Sequence, residues 1–344
     1  MMKLIDLKNI KFPTKKDEEF RKIDLTSLYE YSFKDKKDYV INLDLLQKDK
    51  VSTTNNELYK INQDLDSKSY ELIIKEDTLK PIVIVHVLEE DDIINTNTLH
   101  IKVEKNIKAS IIEVFLSKCQ NTFYSVNREF EVEENAHLNY FKYQDIKESN
   151  SLIINSIIDL KDKANIEQTH FELGDGFNLN IYETSLDNVE SNLNINGLVR
   201  LYKKSHSSSI FNTLHNNKSS LSNINYKHSL HDNSKAVFEA KSIVNENANF
   251  SKVLQNSNTI LLSDDATIFA KPHLEISIDE LEASHGATVG SLNKEQLLYL
   301  CSRGIEEKKA YEILLKAFEN EIFDNIKDEQ IKDFIRNFER SNYV

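Results

Sequence analysis

ASIIEV at 109–114 returns in altered form as AHLNYF (136–141), ANIEQT (164–169), SNLNIN (191–196), SNINYK (222–227) and ANFSKV (248–253). Each copy opens on a small residue, then a variable one, then an apolar one, at intervals of 27, 28, 27, 31 and 26 residues. Around these openings, β-branched and aromatic residues alternate with polar ones, as in IKVEKNI (101–107), HLNYFKYQ (137–144), INGLVRLY (195–202) and HLEISIDEL (273–281). A period near two is the pattern of half-buried strands. Strands that recur at a near-constant interval with no helix between them fit a solenoid of stacked coils. An antiparallel sandwich with evenly spaced strands fits the same spacing, so periodicity alone leaves both open.

This strand zone runs from Pro81 to about His285, and different patterns flank it. Residues 1 to about 75 are rich in Lys, Asp and Glu, with a loose helical signal at Asp17–Tyr31 carried by Phe20, Ile23, Leu28 and Tyr29. From Asn293 onward the period is helical. Asn293 is placed to cap a helix with Gln296 reaching back, and Arg303-Gly304 to end it. A second helix carries Ala310, Ile313, Leu314, Ala317, Phe318 and Ile322 on one stripe, and a third carries Ile331, Phe334, Ile335 and Phe338. The expected units are therefore 1–75, helical; 76–288, the strand array; and 289–344, helical. The C-terminal stripe either caps the array or docks a partner.

Composition narrows the function. The 344 residues hold 43 Lys and Arg against 56 Asp and Glu, a net charge of −13 that argues against binding nucleic acid. Six glycines leave little material for phosphate-cradling loops, and neither G-x-x-x-x-G-K-[ST] nor G-x-G-x-x-G occurs. Gly174-x-Gly176 follows an apolar run without a helical pattern after it, which does not suit a dinucleotide loop. The 37 asparagines fit tight corners, because Asn tolerates left-handed backbone where Gly is scarce. Cys119 and Cys301 are too few for a disulfide framework, a four-thiolate zinc site or a self-contained iron–sulfur site. MMKLIDLKNIKFPTKKDEEF lacks the apolar core of a signal peptide, and PIVIVHVL (81–88) is too short to span a bilayer. The expected setting is a reducing cytoplasm.

Few residues suggest chemistry by spacing. His228-x-x-His231 and the neighbourhood of His206 and His215 lack a placed third ligand and read as solvated polar positions on the array. Asp264-Asp265 and Asp279-Glu280 read as loop carboxylates, with nothing to make them converge. His285 stands out in EASHGATVGSLN (282–293), between array and helices. Beside Gly286 its imidazole can be approached closely and can serve as a neutral nitrogen ligand. A hydrogen bond to the chain at the junction accounts for it equally well.

Residues 250–318 resemble the SufB/SufD family, the scaffold proteins of the SUF iron–sulfur cluster assembly system. The matching words are LLSDDATIFAKPHLEI (261–276), SHGATVGSLNKEQLLYL (284–300) and SRGIEEKKAYEILLKAF (302–318). Weaker matches are His215 with Ser222, AVFEAKSIV (236–244) and FPTKKDEEFRKIDL (12–25). Gly286 after the histidine, a shorter chain and the lack of a cysteine-rich N-terminal stretch resemble the SufD branch. The resemblance implies a mainly β chain, a right-handed parallel β-helix flanked by helical N- and C-terminal regions. It implies a heterodimer with a SufB-like partner and a SufC-like ATPase on the C-terminal helices, at Leu297, Tyr299, Arg303, Gly304, Leu314 and Phe318. The implied role is non-catalytic. No cofactor is held stably by this chain alone, iron or a nascent cluster is handled transiently in the complex, and a flavin there is left open. His285 matches the family histidine facing SufB, whereas Ala283 stands where SufD proteins often carry Cys. The alternatives weighed against this are a polysaccharide-active β-helix enzyme and a purely structural homodimer; no membrane or nucleic-acid partner is expected.

Overall fold

A computed structural model describes residues 1–344 except 40, 42, 44, 49–53, 55, 343 and 344, with the side chains of 339–342 also left aside. In chain order the first strands are β1 (Asp35–Asp38), β2 (Leu46–Gln47), β3 (Ser69–Ile74), β4 (Ile82–Leu88), β5 (Ile93–Val103), β6 (Lys108–Ser117), β7 (Phe123–Val132), β8 (His137–Ile146) and β9 (Ser151–Leu160). There follow β10 (Asn165–Gly174), β11 (Phe177–Leu186), β12 (Asn192–Leu201), β13 (His206–His215), β14 (Leu221–Leu230), β15 (Lys235–Val244), β16 (Lys252–Leu261), β17 (Thr267–Ile276) and β18 (Glu282–Gly290). The α-helices are α1 (Thr26–Glu30), α2 (Lys60–Asp64), α3 (Lys294–Ser302), α4 (Glu307–Asp324) and α5 (Glu329–Asn342).

Successive strands from β3 onward alternate between two parallel sheets. Even-numbered strands stack from β4 to β18 in one, and odd-numbered strands from β3 to β17 in the other, with β1 beside β5 and β2 antiparallel to β3. The result is a parallel β-solenoid of about eight turns, which removes the sandwich reading. The sequence repeat marks one corner of the coils at Ala136, Ala164 and Ser191, and elsewhere falls two or three residues from it. At that corner the amide of residue 165 bonds the carbonyl of Ala136, that of Asn192 bonds Ala164, that of Leu221 bonds Ser191, and that of Lys252 bonds Ser220. These small residues are fully buried inside the bend. The structural interval, read from the first residues of β6 through β16, is 29, 28, 27, 29 and 31.

The residue before each corner, at 106, 135, 163, 190, 219 and 250, has φ between 56° and 64°. Asn fills this place only at 106 and 135, and Lys163, Glu190, Ser219 and Phe250 fill the rest. The asparagine surplus therefore serves the corners only in part. Much of it lies on the outer face of the even sheet. There Asn223 donates to Asn194 at 3.0 Å, Asn225 to Asn196 at 3.4 Å and Asn256 to Asn225 at 3.2 Å. Stacked parallel strands bring like positions into register, so amides form ladders.

The core has three layers. Inside the solenoid, residues such as Leu138, Ile166, Leu193, Phe211 and Phe238 meet. The N-terminal segment lays Leu4, Phe20, Ile23 and Leu28 on the outer face of the odd sheet against Phe123, Ile153 and Ile210. The C-terminal helices lay Ile322, Ile331 and Ile335 on the outer face of the even sheet against Ile112, Phe141 and Phe171. The helix expected over Asp17–Tyr31 is a 3-10 turn at Glu18–Phe20 followed by the five-residue α1. Its apolar residues are spaced for docking on a sheet rather than for a continuous helical stripe.

Gly174 ends β10 at a two-residue corner with φ +99°, and a Cβ there would lie 2.6 Å from the Ile146 carbonyl oxygen and 2.7 Å from its nitrogen. Backbone cannot move aside as a side chain can. Gly174→Ala is expected to lose about 1–3 kcal/mol, seen as a lower denaturant midpoint; an unchanged midpoint would disprove the tight corner.

Candidate functional site

The last coil is the open end of the solenoid. Among the described residues β17 pairs only with β15, and β18 only with β16, so each presents a free backbone edge. Unpaired edges with exposed apolar side chains are templates for another chain, and Ile276 and Val289 are 44 % and 53 % exposed here. Pro272 lies in β17, at the edge where sheets accept proline. His285 sits midway along β18, not at the junction with the helices, and is exposed. Its register partner on β16 is the buried Gln255, so the imidazole belongs to the face that lines the solenoid interior. Ala283, two residues earlier on the same face, is half-buried against Val253.

On the outer side of β18, Ser284 and Gly286 border a groove of about 550 Å³ that continues along the asparagine ladder to Glu321, Asn325 and Lys327. The ladder stops at Gly286. Asn256 is the last rung, and its Oδ1 would lie 3.6 Å from a Cβ at that position.

The helices carry the other residues singled out by sequence. Asn293 Oδ1 accepts from the amides of Glu295 and Gln296 at 2.9 and 3.1 Å, capping α3. Gly304, φ +85°, closes it, and the Ile305 amide returns to the Leu300 carbonyl. No residue of α3 is buried; Leu298 and Tyr299 are exposed and Leu297 half-buried. The Arg303 guanidinium lies over the Tyr299 ring at 5.2 Å. On α4 the expected stripe is covered only in part: Ala310 and Ile322 are buried, Ile322 against the even sheet, whereas Ile313 and Ala317 are exposed and Leu314 is half-buried. Phe318 is half-buried beneath Lys227, whose ammonium is 4.4 Å from its ring centre. Beside Ile322 the docking face also carries buried Glu319, which receives Arg200 and Ser229, while Glu321 pairs with Lys227. A charge turned toward a sheet is invisible to a search for apolar spacing.

Five of the ten histidines are buried inside the fold, and His206 and His231 are half-buried. His228 is buried rather than solvated, and burial pushes it down to about 3. His215 is pushed down by burial to about 4 and bonds Ser220 and Ser222, each at 2.7 Å. Such imidazoles are neutral at pH 7 and occupied by hydroxyls, which makes them structural. Among the described residues, no three of His, Cys, Asp and Glu are placed to hold a metal ion.

The interior also holds charge, a feature the alternating pattern concealed. Glu113 and Arg128 are completely buried and paired, with His86 Nε2 at 2.6 Å from Glu113 Oε1. Burial raises the Glu113 pKa, but the Arg128 guanidinium and His86 outweigh it and hold the carboxyl well below the usual range. Lys142, also fully buried, is pushed down by burial to about 8, against the pull of Glu172.

Known proteins resemble the chain along most of this length. A family profile described as "SUF system FeS cluster assembly, SufBD core domain" matches residues 86–318, from β4 to the middle of α4. The iron–sulfur cluster assembly protein SufD of Escherichia coli is 28 % identical over 258 residues, which cover 74 % of this chain and 61 % of that protein. SufD of Plasmodium falciparum is 30 % identical over 233 residues, 59 % of this chain and 16 % of that one. The chain thus spans about three-fifths of the bacterial relative and a small part of the Plasmodium one. Among the described residues, no helix is long and apolar enough to cross a membrane. With two sheets of stacked parallel strands and a profile match over more than half its length, the chain belongs to the SufB/SufD family of the SUF system, as a SufD-like member.

Proposed function

We propose that this chain is a non-catalytic scaffold subunit of a SUF complex. In this reading its open last coil pairs with a larger SufB-like homologue, and α3 with the first half of α4 docks a SufC-like ATPase. His285 then supplies an imidazole nitrogen to iron or to the nascent cluster, which is the cargo of the complex and is completed by donors of the partner. The observation that carries this is the pair of free edges on β17 and β18, with an exposed histidine on β18. An isolated solenoid gains nothing from an uncovered end, whereas a second solenoid laid edge to edge satisfies its amides and carbonyls.

The test is genetic. Expressed in cells deprived of their own SufD-like subunit together with the cognate SufB-like and SufC-like proteins, the chain should restore cluster-dependent enzyme activity. Failure to restore it, with all three proteins present and folded, would overturn the proposal. The helical surface makes a separate prediction. Tyr299 is 58 % exposed, so Tyr299→Asp should leave thermal melting unchanged. It should weaken ATPase retention about tenfold or more, the scale of one interface residue worth about 1.4 kcal/mol. Leu314→Asp, at a half-buried position, should lower both. Undiminished retention in both variants would place the ATPase elsewhere.

A further inference from the structure

Gln255 lies on β16, one coil inside the open end, and is 2 % exposed. Its Nε2 donates to Ser242 Oγ at 2.8 Å and toward the His273 carbonyl at 3.3 Å. The Ser242 hydroxyl can donate or accept, but the His273 carbonyl only accepts, and it sets which end of the amide is which. The carbonyl oxygen is therefore turned away from them, buried and without a donor among the described residues. Twelve other buried polar atoms among the described residues also lack a partner, and what sets this one apart is its place at the mouth of the open coil, beside a residue able to donate. The neighbour in register is His285 on β18. Adjacent parallel strands lie about 4.8 Å apart with in-register side chains on the same face, which brings an imidazole N–H within reach of that oxygen by side-chain rotation alone. Ala283 and Ala287, on either side along β18, leave room for the rotation.

We propose that Gln255 is the positioning residue of His285. When a partner covers the last coil, Gln255 Oε1 accepts the imidazole N–H, which fixes the tautomer. The other ring nitrogen, unprotonated, is then directed to the interface. This inference rests on the reading of His285 as a ligand at that interface. The chemistry is general: a histidine that ligates through one nitrogen is oriented by the hydrogen bond its other nitrogen makes, often to a carbonyl. It also explains a buried glutamine in a strand whose neighbours at that depth could all be apolar.

The test reads the ring nitrogens of His285 by NMR in the assembled complex, with labelled histidine and with the His285→Ala spectrum identifying the signal. At a pH where the ring is neutral, the unaltered complex should show one tautomer in at least tenfold excess. Gln255→Met, which fills the same space without an acceptor, should reduce that excess at least fivefold. Gln255→Glu, which retains an acceptor oxygen, should restore it. A tautomer mixture in the unaltered complex, or the same excess in Gln255→Met, overturns the inference. If Gln255→Met does not assemble, the unaltered complex alone still decides. The two readings fail separately. Full cluster assembly by His285→Ala with an intact tautomer preference removes the ligand role and keeps the positioning contact. Lost assembly by His285→Ala with a tautomer indifferent to Gln255 does the reverse.

Discussion

His285→Ala should abolish most cluster assembly in cells that depend on this chain while leaving its folding and its complexes intact. The side chain is exposed on an edge strand, and replacing a surface residue away from packed features shifts stability by no more than about 0.5 kcal/mol. Nothing in the described structure therefore requires the imidazole for folding. Its position is different: it stands at the uncovered end, and Ala283 two residues before it offers no thiolate. A neutral imidazole nitrogen is then the one strong metal donor within SHGAT. The readouts are melting temperature, partner retention and activity of a cluster-dependent enzyme in the same variant. If partner retention fails first and enzyme activity follows it, the histidine is an interface residue and no ligand. If all three readings match the unaltered chain, it has no role.

Glu113→Gln should be the most damaging substitution for stability. Arg128 Nε lies 3.1 Å from both Glu113 oxygens, and Tyr140 and His86 complete the shell. Removing one charge leaves the guanidinium buried and uncompensated, which costs about 3–5 kcal/mol. A good part of a typical domain's margin would be lost. Exchanging both partners for apolar residues of similar volume, Glu113→Leu with Arg128→Met, should recover most of it, because the pair itself is close to neutral against a packed apolar core. Denaturant unfolding of the single and double variants measures both. A single variant as stable as the parent would mean that Arg128 is not confined without a partner.

The coil repeat is legible because stacking places a small residue in the same bend of most turns, Ile107 being the exception. Ala136, Ala164 and Ser191 were read in phase. Ser222 and Ala248 were not, since Ser220 and Ser251 occupy the bend, and Ala109 lies two residues past its own. A three-residue pattern cannot resolve register where serine and alanine recur nearby. The N-terminal zone reads as helical, yet β1 is DKKD, four charged residues that pair beside β5 through backbone, with Thr96 of β5 donating to Asp38 at 2.8 Å. Polarity hides such a strand. The solenoid interior was hidden for the opposite reason: alternation marks inward positions but does not require them to be apolar. Tyr182 stacks on His170, with Lys142 beside both, where a sequence reading expects hydrocarbon. His285 was legible as a residue by its resemblance to the family. Its place on an uncovered edge, and Gln255 beneath it, depended on strands 30 residues apart lying side by side, which no local pattern contains.

The central claim is that the open end of the solenoid is one half of a heterodimer. Its most direct test is the native mass of the complex purified after co-expression with the larger SufB-like homologue and the SufC-like ATPase. The account predicts a species with one copy of this chain, one copy of the homologue and bound ATPase, which loses the homologue when charge is introduced on the free edge by Val289→Asp. A species containing only two copies of this chain, or a heterodimer indifferent to Val289→Asp, would contradict it.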